Sequence, residues 1–107
     1  MKKINITVAT SNGFKDIEGY KVDVVYKGRP YDIAVNRQWN DPTRWMLTDI
    51  NSGLSIATLF KTRKQAVECI TVGVMESLVR TMDKDYYEIA KSAMADYKTL
   101  KKSKRDR

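Results

Sequence analysis

The sequence predicts an α+β domain: an antiparallel sheet of about four strands, followed by two C-terminal helices packed on one face. Two observations carry this expectation. Apolar residues alternate with period two between Ile4 and Phe60, then recur at steps of three and four from Thr62 onward. The strands also precede the helices without interleaving, which favours helices on one face of an antiparallel sheet over a βαβ arrangement.

Each element has its own signal. Ile4, Ile6 and Val8 alternate with Asn5 and Thr7, as in a half-buried strand, and this is the weakest of the strand signals. Ser11-Asn12-Gly13 breaks it. Tyr20, Val22, Val24 and Tyr26 form a second alternating run, Lys27-Gly28-Arg29-Pro30 a turn, and Tyr31, Ile33 and Val35 the returning strand. Arg37 to Arg44 reads as a polar loop with a turn at Asn40-Asp41-Pro42. Trp45 to Ile50 and Leu54 to Phe60 flank the turn Asn51-Ser52-Gly53, where glycine can take positive φ. Thr62 with Gln65 is a capping-box pattern. Ala66, Cys69, Ile70, Gly73, Val74 and Leu78 follow as one apolar face of a first helix, with Gly73 in its middle. After Asp83-Lys84-Asp85, the residues Tyr86, Ala90, Ala93, Tyr97 and Leu100 make a heptad-like seam. Its expected partner is the first helix, or else the same helix of a second copy in a homodimer.

At 107 residues the chain is one domain's worth. The reading is a single α+β domain over residues 1–100 and a basic tail over residues 101–107. Cys69 is the only cysteine, so no internal disulfide is possible. Neither a signal peptide nor an apolar run long enough for a membrane span is visible, so the expected setting is the cytoplasm, with no membrane partner. The net charge of +7 is unevenly spread: residues 1–60 hold eight basic and six acidic side chains, whereas residues 98–107 hold six and one. Such a basic terminus suits phosphate or an acidic protein surface, and serves equally to keep a small protein in solution.

The composition argues against catalysis. There is no histidine, so the commonest general base and metal ligand is missing. No phosphate-cradling glycine loop, calcium loop or carboxylate pair stands out, and Asp32 and Asp49 read as solvent-facing strand charges. The expectation is a non-enzymatic binding protein without metal or cofactor.

Two groups of residues suit nucleic acid, DNA or RNA. Lys61, Arg63 and Lys64 cluster at the start of the first helix, where cations oppose the helix dipole unless an anion joins them. The loop cations Lys27, Arg29, Arg37 and Arg44 are interleaved with Trp39 and Trp45, which could stack on bases or contact a protein partner. Lys101, Lys102, Lys104 and Arg105 of the tail would add phosphate contacts.

Trp45, the turn at Asn51-Ser52-Gly53 and the run Phe60-Lys61-Thr62-Arg63-Lys64-Gln65-Ala66 resemble the N-terminal arm-site DNA-binding domains of phage integrases. Those domains carry a Trp-containing strand, a turn with Gly, and a GFKTKKEA-like run into a helix. The similarity covers about residues 44–70, with Leu59 standing where the integrase pattern has Gly. The same junction is similar to the strand-to-helix step of double-stranded RNA-binding domains. Either resemblance implies phosphate contacts from Lys61, Arg63 and Lys64. The rival class is a protein-interaction module, such as a phage-type inhibitor or a regulatory subunit docking on a larger host protein through Trp39 or the last helix.

Overall fold

A computed structural model describes the backbone of residues 1–105 and the side chains of residues 1–102. Five antiparallel strands run as a meander in the order β1 (Lys2–Thr10), β2 (Gly13–Tyr26), β3 (Arg29–Arg37), β4 (Trp45–Asp49) and β5 (Ser55–Phe60). Helices α1 (Arg63–Glu68), α2 (Val72–Met82) and α3 (Asp85–Arg105) follow. The α+β class and the strands-then-helices order agree with the sequence reading, but the sheet has five strands instead of about four.

Each of the five apolar runs in the sequence forms one strand, the weak N-terminal run included, and β2 in addition extends back to Gly13, past its alternating core. Its 14 residues pair with β1 through Gly13–Lys21 and with β3 through Gly19–Tyr26. Gly19 lies where the two pairings overlap. A Cβ there would sit 3.1 Å from Asn36 Cβ and from Val35 O, and 3.6 Å from Ile6 Cδ1. The missing side chain lets Ile6 and Val8 of β1 pack with Ala34 of β3. The sheet curls far enough for the Ala9 N–H to donate to Gly53 O (2.9 Å), which ties β1 to the β4–β5 turn. The other face buries Tyr31, Ile33, Val35 and Leu47 against Ala66, Met75 and Leu78 of α1 and α2.

The first predicted helix is two. Thr62 caps α1, accepting from Gln65 N–H (3.0 Å), and Thr71 caps α2, accepting from Val74 N–H (3.4 Å). The chain breaks between them at Cys69 to Thr71, where Thr71 competes for backbone N–H groups as a cap does. Gly73 therefore lies in the first turn of α2, exposed, and not in mid-helix against the sheet.

The last helix also differs from expectation. Its inward residues are Tyr87, Ala90, Ala93, Met94, Tyr97 and Lys101, so Ala90, Ala93 and Tyr97 of the predicted seam face inward, whereas Tyr86 and Leu100 are exposed. The helix lies beside α2, and several of its side chains reach the sheet. Tyr97 lies against Phe14 with centroids 5.6 Å apart, Met94 reaches Gly53, and Tyr87 reaches Asp49. Lys101 and Lys102 belong to α3 and not to a separate tail, and Lys101 is ion-paired with Asp16. Residues 104 and 105 continue the α3 backbone. The predicted phosphate contacts of the Lys104 and Arg105 side chains lie outside the described residues, as do residues 106–107 entirely.

Asp49 is buried, contrary to the solvent-facing reading. Its Oδ2 accepts from the Ser52 N–H (3.1 Å), the Ser52 hydroxyl (2.6 Å) and the Tyr87 hydroxyl (2.7 Å). Burial and this carboxylate hold the Tyr87 phenol above its ordinary range. The group locks the β4–β5 turn to α3. Asp32 is half-buried and shares Lys21 with Asp23.

Candidate nucleic-acid interface

The sheet brings one part of each predicted group together. Arg37 ends β3, Trp45 begins β4 opposite it in register, and Tyr20 lies on β2. Arg63 opens α1. The Arg37 guanidinium lies 4.5 Å from the Trp45 ring centroid, and that of Arg63 lies 4.4 Å from the Tyr20 centroid. The two rings are 6.4 Å apart, so the four side chains form one ladder of arginine, tryptophan, tyrosine and arginine. Each guanidinium keeps donors for a further acceptor, because stacking uses its face and not its N–H edge. Among the described residues neither arginine has a carboxylate ion-pair partner.

Beside this ladder an open cleft of about 560 Å³ is lined by Arg37, Trp39, Trp45, Tyr20 and Arg63, with Lys3, Glu18, Ile17, Gln38 and Pro42. Trp39 is 40% exposed, with the Lys15 ammonium 5.2 Å from its ring centroid. The loop that carries Trp39 is internally bonded. The Gln38 N–H donates to Arg44 O (2.9 Å), the Arg44 N–H to Asp41 O (3.0 Å), and Arg37 Nη1 to Pro42 O (2.8 Å). Asp41 accepts from the Thr43 hydroxyl (2.6 Å) and the Thr43 N–H (3.2 Å), which hold its carboxyl below the ordinary range. The Trp39 platform is thus positioned before any ligand arrives.

A bulge fixes the far wall. Two residues of β5, Thr58 and Leu59, stand opposite Met46 of β4, between the pairs Leu47–Ala57 and Trp45–Phe60. Leu59 has φ of 69°, a left-handed backbone that favours glycine, and its N–H donates to buried Gln38 Oε1 (2.7 Å). The bulge re-aims the chain so that Phe60 opposes Trp45 and Thr62 can start α1.

Other predicted residues are placed differently. Lys61 and Lys64 flank Arg63 and are exposed, Lys64 only 3.9 Å from Glu68 across one helical turn. With six residues α1 has little dipole, and its capping box is already occupied by Thr62 and by Gln65, whose Oε1 accepts from the Lys61 N–H (2.8 Å). Arg44 shares the Trp39 loop. Lys27 and Arg29 lie at the opposite end of β3, roughly 26 Å from Arg37 at about 3.3 Å per residue. Lys27 is paired with Glu76 (2.8 Å), which also accepts from the Tyr26 hydroxyl, and Arg29 lies 5.2 Å from the Tyr31 centroid. The four loop cations therefore form no single patch. Lys101 and Lys102 line a second groove with Lys98, Asp16 and Glu18, adjoining the cleft at Ile17 and Glu18.

Sequence reasoning missed Tyr20, Lys15, Lys3 and Gln38. Tyr20 starts an alternating run, Lys3 precedes one and Lys15 falls between two, so only strand register shows which of them meet the cleft. No protein-family model, curated protein or solved structure matches the chain.

Proposed function

We propose that this protein is a nucleic-acid-binding module whose contact surface is the cleft between the 38–44 loop and the start of α1. The observation that carries this reading is the ladder of Arg37, Trp45, Tyr20 and Arg63, two stacked guanidiniums that have no carboxylate partner among the described residues, beside exposed Trp39. Arginine edges suit phosphate oxygens, and an exposed indole on a fixed loop suits stacking on an unpaired base. Lys61, Lys64 and Arg44 lie on adjacent segments and add positive potential, and the net charge of +7 acts in the same direction. An integrase-like role also has support: β3, β4 and β5 are three antiparallel strands leading into α1, and Leu59 takes a glycine-like backbone where that family's pattern has Gly.

The test is fluorescence anisotropy with labelled single- and double-stranded DNA and RNA at about 50 and 200 mM salt. Binding that weakens steeply with salt is expected, with the log–log slope falling by about 0.7 for each single-strand phosphate contact removed. The variant Arg37→Ala/Arg63→Ala should lower both affinity and slope. Absence of binding at the lower salt would discard the reading and move the cleft to an acidic protein partner, for which Trp39 would be the anchor.

A further inference from the structure

Trp39 is a wall shared by two concavities. On one side lies the cleft that holds Arg37 and Arg63. On the other lies a smaller pocket of about 230 Å³, between the 38–44 loop, the end of β1 and β5. Gln38 and Trp39 line both. The two differ in charge. The smaller pocket is lined by Met46 and the exposed Asn40, Ser55 and Thr58, and by no ionisable side chain among the described residues. Drug-sized ligands occupy about 300 Å³ or more, so this pocket suits a single planar ring system.

A chain of hydrogen bonds fixes which end of the Asn40 amide a ligand meets. The Leu59 N–H can only donate, so the Gln38 atom it meets at 2.7 Å is the acceptor Oε1. Gln38 Nε2 therefore faces Asn40, whose Oδ1 accepts from it at 3.5 Å. Asn40 Nδ2 is left to donate outward. The left-handed residue at the bulge thus sets the polarity of an exposed amide two links away.

We infer that this pocket takes one unpaired base of a single strand, and favours a carbonyl-bearing base such as thymine or uracil over adenine. The inference rests on the nucleic-acid reading of the cleft: Arg37 and Arg63 hold phosphate while a base of the same strand turns past Trp39 into the uncharged pocket. The Lys15 ammonium lies over one face of the indole, 5.2 Å from its centroid, so the base stacks on the other. Asn40 Nδ2 donates to the base carbonyl, and the hydroxyls of Ser55 and Thr58, each donor and acceptor, meet the ring N–H. Adenine has no carbonyl. Asparagine reads it well only with Oδ1 free to accept from its amino group, and here Oδ1 is already engaged. A base inside a duplex is covered by its neighbours and its partner, and does not reach such a pocket.

The test is fluorescence anisotropy of the full chain with labelled oligothymidylate and oligoadenylate of about eight nucleotides, at several salt concentrations. The ribose counterparts are run alongside and should show the same preference, because the pocket reads the base. Oligothymidylate should bind about fivefold more tightly than oligoadenylate, and at least about tenfold more tightly than the same bases closed into a hairpin duplex. Asn40→Ala should bring the thymine-to-adenine ratio to within about twofold and leave the salt slope unchanged. Arg37→Ala/Arg63→Ala should do the reverse, lowering the slope and leaving the ratio. Equal affinities for the two bases, a ratio indifferent to Asn40→Ala, or a hairpin bound as tightly as the single strand would overturn the inference while the nucleic-acid reading stood. Absence of binding to every oligonucleotide would overturn both.

Discussion

The two ends of β3 carry similar residues used in different ways. At the β2–β3 turn, Lys27 and Tyr26 both close on Glu76 of α2, so cation, phenol and carboxylate satisfy one another. At the other end Arg37 and Arg63 stack on Trp45 and Tyr20 and meet no carboxylate among the described residues. The first end spends its polar groups on holding α2 to the sheet. The second leaves its charge directed outward. Composition alone does not separate them, because each end offers two cations near aromatic rings.

Internally satisfied groups should matter for stability and outward ones for binding. The largest expected effect is at Asp49, a buried carboxylate of the first kind. Asp49→Ala strands the Ser52 hydroxyl, the Ser52 N–H and the Tyr87 hydroxyl, and should cost about 3 kcal/mol in urea unfolding. Tyr87→Phe removes one of those bonds and should cost about 1 kcal/mol. The raised phenol adds a pH signature. Its stabilisation is complete below the ordinary tyrosine value of 10.0 and is lost as pH rises through the higher folded value. Tyr87→Phe should therefore flatten the alkaline limb of the stability curve, and an unchanged limb would mean that the phenol is not what titrates.

Next in size is the outward pair. Arg37→Ala/Arg63→Ala should weaken oligonucleotide binding about tenfold, roughly 1.4 kcal/mol, at a stability cost of about 1 kcal/mol or less from two lost cation–π contacts. Lys27→Ala/Arg29→Ala removes the same formal charge from the other end and should change affinity less than about twofold at about 150 mM salt, where charges farther apart than the screening length barely interact. Equal losses from the two pairs would show that net charge, not the cleft, drives association.

A smaller effect sharpens the comparison at the satisfied end. Hydrogen bonds from Lys27 and then Tyr26 hold the Glu76 carboxyl below its ordinary 4.5. A lowered value stabilises the fold above about pH 4.5, and that contribution disappears as pH falls through the folded value. Glu76→Gln should lower the neutral plateau of a stability–pH profile slightly and make the acid limb shallower, so that variant and parent converge at low pH. No corresponding change is expected from either outward arginine.

Much of this was legible in the residues, for reasons that also mark the limit. Strand alternation, the turns at Gly28 and Gly53, and the Thr62 cap are local signals, and each element they predict is present. The break at Thr71 was hidden because Ile70, Val74 and Leu78 keep helical spacing across it. The inward seam of α3 was legible at Ala90, Ala93 and Tyr97 but not at its ends, because Tyr86 and Tyr87 are equally apolar by type and Leu100 keeps the heptad spacing while facing out. Arg37, Trp45 and Arg63 were singled out, but their meeting with Tyr20 depends on β2–β3–β4 register, a long-range property. Asp49 looked like surface charge because its partner Tyr87 lies 38 residues along the chain.

The smallest expected effect concerns the strain each end carries. The β2–β3 turn places Lys27 at φ 51° beside Gly28 at φ 76°, so one of its two left-handed residues is the type that tolerates it. The bulge at the cleft has no glycine, and Leu59 holds φ of 69° alone. A left-handed L-residue costs about 1–2 kcal/mol. The Leu59 side chain is 67% exposed, so it recovers little of that by burial. Leu59→Gly relieves the strain but adds freedom to the unfolded chain worth about 0.5–1 kcal/mol, leaving a net gain of about 0.5 kcal/mol. The hydrogen bond to Gln38 uses the backbone N–H and survives the change. Urea midpoints at constant m-value read the difference. A rise with unchanged oligonucleotide affinity would show that the bulge positions the cleft by its backbone path alone. A fall in affinity despite the rise would instead make the exposed leucine part of the contact surface.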